Sequence, residues 1–230
     1  MKKLLTLLFV TTSLTFAYSG EFEKDLEPFN NIVVAGNFEV YLTKGDKEHV
    51  KVVNTDAELL DEEVEFIQKG SELKITTKGN SLRKLALKIH LTYTSVTEID
   101  CRNGGWLETK NPLEGEQIEL HCTTDGVIHA QLACKNVEAS ILTGGTIRLS
   151  GEVEIADYKV NAGGFISGKE VVAKVVNAKV ATGGDISCHG TEKMELKVST
   201  GGNIKYIFDG ELSNFKEKVT LGGNITKFGD

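Results

Sequence analysis

The stretch ILTGGTIRLSGEVEIADYKVNAGGFISGKEVVAKVVNAKVATGGDI, residues 141–186, holds three Gly-Gly pairs, beginning at Gly144, Gly163 and Gly183. Each is followed, three positions after its first glycine, by an isoleucine: Ile147, Ile166 and Ile186. Outward from this stretch the same punctuation recurs at Gly104, at Asp125 (as Asp-Gly), and at Gly201 and Gly222. The intervals between successive corners are 21, 19, 19, 20, 18 and 21 residues. Leu107, Ile128, Ile204 and Ile225 complete the aliphatic column. Self-similarity at such a period is the mark of a solenoid.

A second apolar column lies three residues before each corner: Cys101, Cys122, Ile141, Val160, Val180, Val198 and Val219. Side chains alternate across a strand, which assigns these positions to the interior. The same alternation assigns there the residues just ahead of the corner, Thr124, Thr143, Ala162, Thr182 and Thr200. Lys159, Lys179, Lys197 and Lys218, with Glu98, Glu119, Glu138, Asp157 and Glu195, fall on the outer face as charge ladders. Exposed pairs of this kind contribute little stability.

The pattern predicts an all-β chain, a right-handed parallel β-helix of about seven coils of ~20 residues, with an N-terminal β-strand cap. A leucine-rich horseshoe would need L-x-x-L-x-L-x-x-N spacing and a helical return, and neither is present. The glycine pairs read as corners, because glycine reaches positive φ without a Cβ clash. No corner has the lysine spacing or following helix of a phosphate loop. Asp125 suits such a corner, since aspartate tolerates left-handed geometry better than most residues.

The chain opens with Lys2 and Lys3, an apolar run from Leu4 to Phe16, and small residues around Ala17, Ser19 and Gly20. This is the three-part pattern of a secretory leader, assigned to residues 1–19. The run is too short for a membrane helix of roughly 20 apolar residues. The expected product is exported, to periplasm, cell surface or extracellular space, with no membrane span after cleavage. A net charge of −7 disfavours nucleic acid, which needs a basic footprint.

Residues 96–230 are assigned to the β-helix and 20–95 to the cap, the two forming one structural unit. Within the cap, the alternation of Phe38, Val40 and Leu42 and of Val50 and Val52 around Lys44-Gly45-Asp46-Lys47 predicts a hairpin.

The segment Phe29, Ile32, Val34, Gly36, Phe38, Val40, Leu42 and Gly45, followed by Gly70, Leu73 and Ile75 and then by glycine-turn coils from about Ile99, resembles the autotransporter-adhesin head GIN domain family. Its members are exported bacterial proteins that open on an F-x-x-I-x-V-x-G-x-F-x-V-x-L-x-x-G-like stretch. The resemblance covers nearly the whole mature chain and implies adhesion or surface interaction. It supplies no catalytic residues. Thr-Gly-Gly turns here replace the Ser-Gly-Ser-Gly-like turns usual in that family.

Cys101 and Cys122 occupy the same place in successive coils, within the Cα range that a disulfide accepts, and are the candidate bridge of an oxidising compartment. Cys134 and Cys188 lie about three coils apart and should stay unbridged. His121 and His189 adjoin cysteines, but neighbouring strand residues point to opposite faces. No metal or cofactor site follows.

Trp106 and Phe165 stand just after corners, where they can stack on a sugar ring or meet a protein; they are the candidate ligand contacts. Asp185, Asn203 and Asn224 share their column, as an amide ladder. The last coil, Gly222 to Phe228, leaves an edge on which a second copy could pair. The leading function is a non-catalytic cell-envelope interaction or adhesion module, its partner a glycan or protein at the cell surface. The rivals are a carbohydrate-active enzyme, lyase or hydrolase, and a self-associating structural protein.

Overall fold

The computed structural model describes residues 21–54, 64–78 and 87–229. The leader assigned to residues 1–19 lies outside them. Among the described residues there are seventeen strands, all in one continuous sheet. The N-terminal strands are β1 (Glu21–Asp25), β2 (Asn31–Ala35), β3 (Glu39–Lys44), β4 (His49–Asn54), β5 (Val64–Lys69), β6 (Glu72–Thr77) and β7 (Leu87–Tyr93). There follow β8 (Glu98–Arg102), β9 (Trp106–Thr109), β10 (Leu113–Thr123), β11 (Val127–Thr143), β12 (Thr146–Ala162), β13 (Phe165–Thr182), β14 (Asp185–Thr200), β15 (Asn203–Phe208), β16 (Phe215–Leu221) and β17 (Asn224–Lys227).

From β8 onward every pairing is parallel and in the register that the corners predict, with Ile128 on Ile147, Ile147 on Ile166, and Ile166 on Ile186. The fold is the parallel β-helix expected, with about six turns rather than seven coils. Seven corners delimit six complete intervals. Each long strand runs from one corner to the next and bends on the way. In β12 the buried positions are Ile147, Leu149 and Val153, then Ala156, Tyr158 and Val160; the phase changes at Glu154 and Ile155, both exposed. Two outward residues in succession carry the chain around the core. Each fully buried isoleucine of the stack contributes on the order of 1.5–3 kcal/mol.

The residues just before the corners are corrected by the structure: Thr143, Ala162, Thr182 and Thr200 are exposed. They keep their register along the ladder, but the turn has begun there and carries the side chain out of the core. At Gly183 and Gly184 φ is +69° and +95°. The second glycine passes against the preceding coil, where the Gly164 carbonyl accepts the Asp185 N–H at 3.0 Å. The Asp-Gly corner uses another turn, with Thr124 and Asp125 both left-handed at +54° and +62°.

The segment 20–95 does more than cap. Strand β2 pairs in parallel with β8 on one side and β6 on the other, and β3 does the same with β9 and β7. The coil β2–β3 therefore lies between β6–β7 and β8–β9, although it comes first in the chain. The capping itself is antiparallel: β5 closes on β6, and β4 closes on β7 with β1 outside it. The hairpin predicted around residues 44–47 does not form, because both edges of β3 are taken and β7 stands between β3 and β4. The inward faces are as expected, with Phe38, Val40, Leu42, Val50 and Val52 all buried. The outer edge strand β1 is charged, its Glu21 and Glu23 each meeting Lys51 at 3.0 Å, as befits an edge kept from pairing.

At the opposite end Leu212, Val219, Leu221 and Phe228 are exposed among the described residues, where β16 and β17 pair with the coil beneath. Here the inward column Leu120, Ala139, Tyr158, Ala178 and Leu196 ends on Glu217. A second copy stacked on this end would bury that carboxylate in an apolar core, which is costly. An inward-pointing charge is one way in which proteins blunt a sheet edge. Glu217→Leu is expected to raise the mass of the protein in a concentration-dependent way in light scattering; a mass unchanged from the wild type at high concentration would refute the guard.

Candidate functional site

Beyond each corner the chain forms an outer face whose outward side chains, from exposed Arg148 and Lys205 through half-buried Trp106 and Phe165 to buried Ser187, fall in two columns. The first runs Glu39, Trp106, Val127, Thr146, Phe165, Asp185, Asn203, Asn224. The second, two residues further along each strand, runs His90, Tyr41, Glu108, His129, Arg148, Ser167, Ser187, Lys205, Thr226. Trp106 and Phe165 share a column as the spacing predicts, but three coil steps separate them, roughly 14 Å at ~4.8 Å each. They belong to two different features of one face.

Trp106 sits in an aromatic cluster. Its ring centroid is 5.3 Å from Tyr41 and 5.5 Å from His129, both edge-on, and Tyr41 stacks on His90 at 5.4 Å. Lys110 Nζ lies 4.4 Å from the Tyr41 centroid, a cation–π arrangement. The Tyr41 hydroxyl donates to Glu39 at 2.9 Å. Burial, reinforced by that carboxylate, pushes the phenol up to about 12. Burial, and then Arg148, lowers the pKa of His129, whose Nε2 lies 3.0 Å from the guanidinium. His129 is thus held neutral, accepting at Nε2. Sequence reasoning missed Tyr41, His90 and His129. Two of them come from the segment read as cap, and only the insertion of β3 beside β9 brings them to Trp106.

Phe165 lines a groove of about 790 Å³ with Ser167, Ser187, Asn203, Lys205 and Phe228 among its walls. The ladder beside it is hydrogen-bonded: Asn203 donates to Asp185 at 2.7 Å and Asn224 to Asn203 at 3.2 Å. Near Lys169 and Glu170 the register between β13 and its neighbours shifts, so the extra residues of β13 border the groove.

Cys101 and Cys122 are register partners, as predicted, and both are buried free thiols. In an in-register parallel ladder the two Cβ bonds run side by side, whereas a bridge needs Cβ atoms to converge to about 3.8 Å. Burial, as the first cause, raises Cys101 well above the ordinary thiol value and Cys122 to about 12, which leaves little thiolate to react. Cys134 and Cys188 are likewise free. His121 Nδ1 lies 2.7 Å from Ser140, and His189 Nε2 lies 2.7 Å from Asp209. Among the described residues no group of three or more His, Cys, Asp or Glu side chains is placed to hold a metal ion, and no helix is long and apolar enough to cross a membrane.

The fold is similar to that of several crystal structures. A putative adhesin from Bacteroides fragilis superposes with a TM-score of 0.76 at 20% identity, over 90% of this chain and 96% of that one. A putative adhesin from Parabacteroides merdae gives 0.69 at 18% identity, over 90% and 95%. A protein from Parabacteroides distasonis described as a putative lipid binding protein gives 0.66 at 17%, over 92% and 98%. No curated protein matches the chain. The family model "Putative auto-transporter adhesin, head GIN domain" matches residues 28–209, from just before β2 to just past the end of β15. The chain belongs to that family.

Proposed function

We propose that the mature chain is an exported, non-catalytic interaction module of the cell envelope that adheres to a saccharide through the outer face running from Trp106 to Asn224. The observation that carries this reading is the alignment of the Trp106 cluster and the Phe165 groove along one face. Aromatic rings stack on the apolar faces of sugars, and side-chain amides such as those of Asn203 and Asn224 supply paired donors and acceptors for hydroxyls. Membership of an adhesin family agrees with an exported or surface location.

The test is a glycan array probed with the mature protein, with Trp106→Ala and Phe165→Ala combined as the comparison. The wild type should bind a subset of glycans and the double variant should lose at least tenfold in affinity while its melting temperature holds. A protein ligand bound in place of any glycan would overturn the saccharide reading. Release of reducing ends or unsaturated products from a polysaccharide would overturn the non-catalytic one.

A further inference from the structure

We infer that the Phe165 groove selects a negatively charged saccharide, one whose ring bears a carboxylate or a sulfate; this rests on the saccharide reading of the face. The second outward column places Arg148, Ser167, Ser187 and Lys205 in consecutive coils. Two hydroxyls, Oγ to Oγ 3.5 Å apart, thus lie between two cations, and Lys169 adds a third from the bulged part of β13. Phe165 stands one strand position-pair away from Ser167, so a ring laid on it would turn a charged substituent over the serines.

The chain as a whole is acidic, at −7, yet the groove lining carries three cations, Arg148, Lys169 and Lys205, against two carboxylates. Elsewhere among the described residues some lysines sit against carboxylates, as Lys44 does with Glu114, and others, such as Lys159 and Lys179, do not. Among the described residues Arg148, Lys169 and Lys205 have no ion-pair partner; Arg148 spends one nitrogen on His129. Of the two groove carboxylates, Glu170 and Asp185, Asp185 is turned to the Asn203 amide. The half-buried Ser167 hydroxyl, which accepts from the buried Ser187, keeps its own proton to donate to an anion between the cations, and such charge-assisted hydrogen bonds are stronger than neutral ones. A neutral sugar would leave the cations unanswered.

The experiment is calorimetric titration of the mature protein with three size-matched oligosaccharides, a polyuronate, a sulfated glycan and a neutral β-glucan, at low and at high salt. The expected result is binding of at least one anionic ligand, weakened several-fold by salt because surface charge is screened, and weakened tenfold or more in Lys169→Gln/Lys205→Gln. Lys218→Gln, on a different face, should bind as the wild type does. Which anionic ligand binds separates carboxylate from sulfate recognition. Equal affinity for the neutral glucan, or an unchanged affinity in the double variant, would overturn the charge selection while leaving saccharide binding intact. Binding of none of the three would overturn both.

Discussion

Gly184→Ala is expected to destabilise the protein far more than Gly183→Ala, although the two residues are adjacent and both have positive φ. At Gly183 φ is +69° and a Cβ would meet nothing within 4 Å. Alanine there carries only the left-handed penalty of roughly 1–2 kcal/mol. At Gly184 φ is +95°, and a Cβ would lie 2.6 Å from Val160 Cγ1 and 2.9 Å from the Gly164 carbonyl oxygen. That carbonyl is already the acceptor for the Asp185 N–H, so moving it breaks a hydrogen bond between coils. Backbone strain, overpacking and a lost buried hydrogen bond act together, and a loss of about 4 kcal/mol or more follows. Urea denaturation of both variants checks this. Equal midpoints would mean that the coils do not touch at the second glycine.

That asymmetry bears on what the sequence discloses. The glycine pairs were legible because two separate needs, a left-handed turn and a carbonyl packed where a Cβ would be, fall on adjacent residues and repeat. The isoleucine and valine columns were legible for the same reason, since a stacked core repeats its side chains at the coil period. The bend at Glu154 and Ile155 was not. It needs only two outward residues in succession, which no residue type marks. Nor was the placing of β2–β3 between β6–β7 and β8–β9, because strands that are buried on both edges carry the same alternation wherever they pair. The candidate site inherits both limits. Trp106 and Phe165 were found from their place beside the corners. Tyr41 and His90 were out of reach because the order of the coils in space departs from their order in the chain. The column of Arg148, Ser167, Ser187 and Lys205 stands four residues after the corners at Gly144, Gly163, Gly183 and Gly201, within reach of the same repeat, but no residue type recurs along it to draw the eye.

Tyr158→Phe is expected to leave the fold as stable as before or more so, by about 1 kcal/mol, whereas Tyr158→Ala should cost about 3–5 kcal/mol. Tyr158 occupies the inward column between Ala139 and Ala178. It is 3% exposed, the small neighbours above and below making room for its ring. Its hydroxyl reaches toward Gly168, where a Cβ would come within 2.6 Å of the oxygen, and it has no hydrogen-bond partner among the described residues. Burial, and then the Cys188 and Cys134 thiols, push the phenol far above its ordinary range. The group is therefore a neutral polar atom taken out of water with nothing in return, and removing the oxygen while keeping the ring relieves a cost of about 1–3 kcal/mol at most. Removing the ring instead opens a cavity at the middle of the column, flanked by alanines that cannot fill it. Thermal and urea unfolding of the two variants should move in opposite directions from the wild type. A Tyr158→Phe variant destabilised by more than about 1 kcal/mol would mean that the hydroxyl is satisfied, most simply by a water held between it and strand β13 at Gly168.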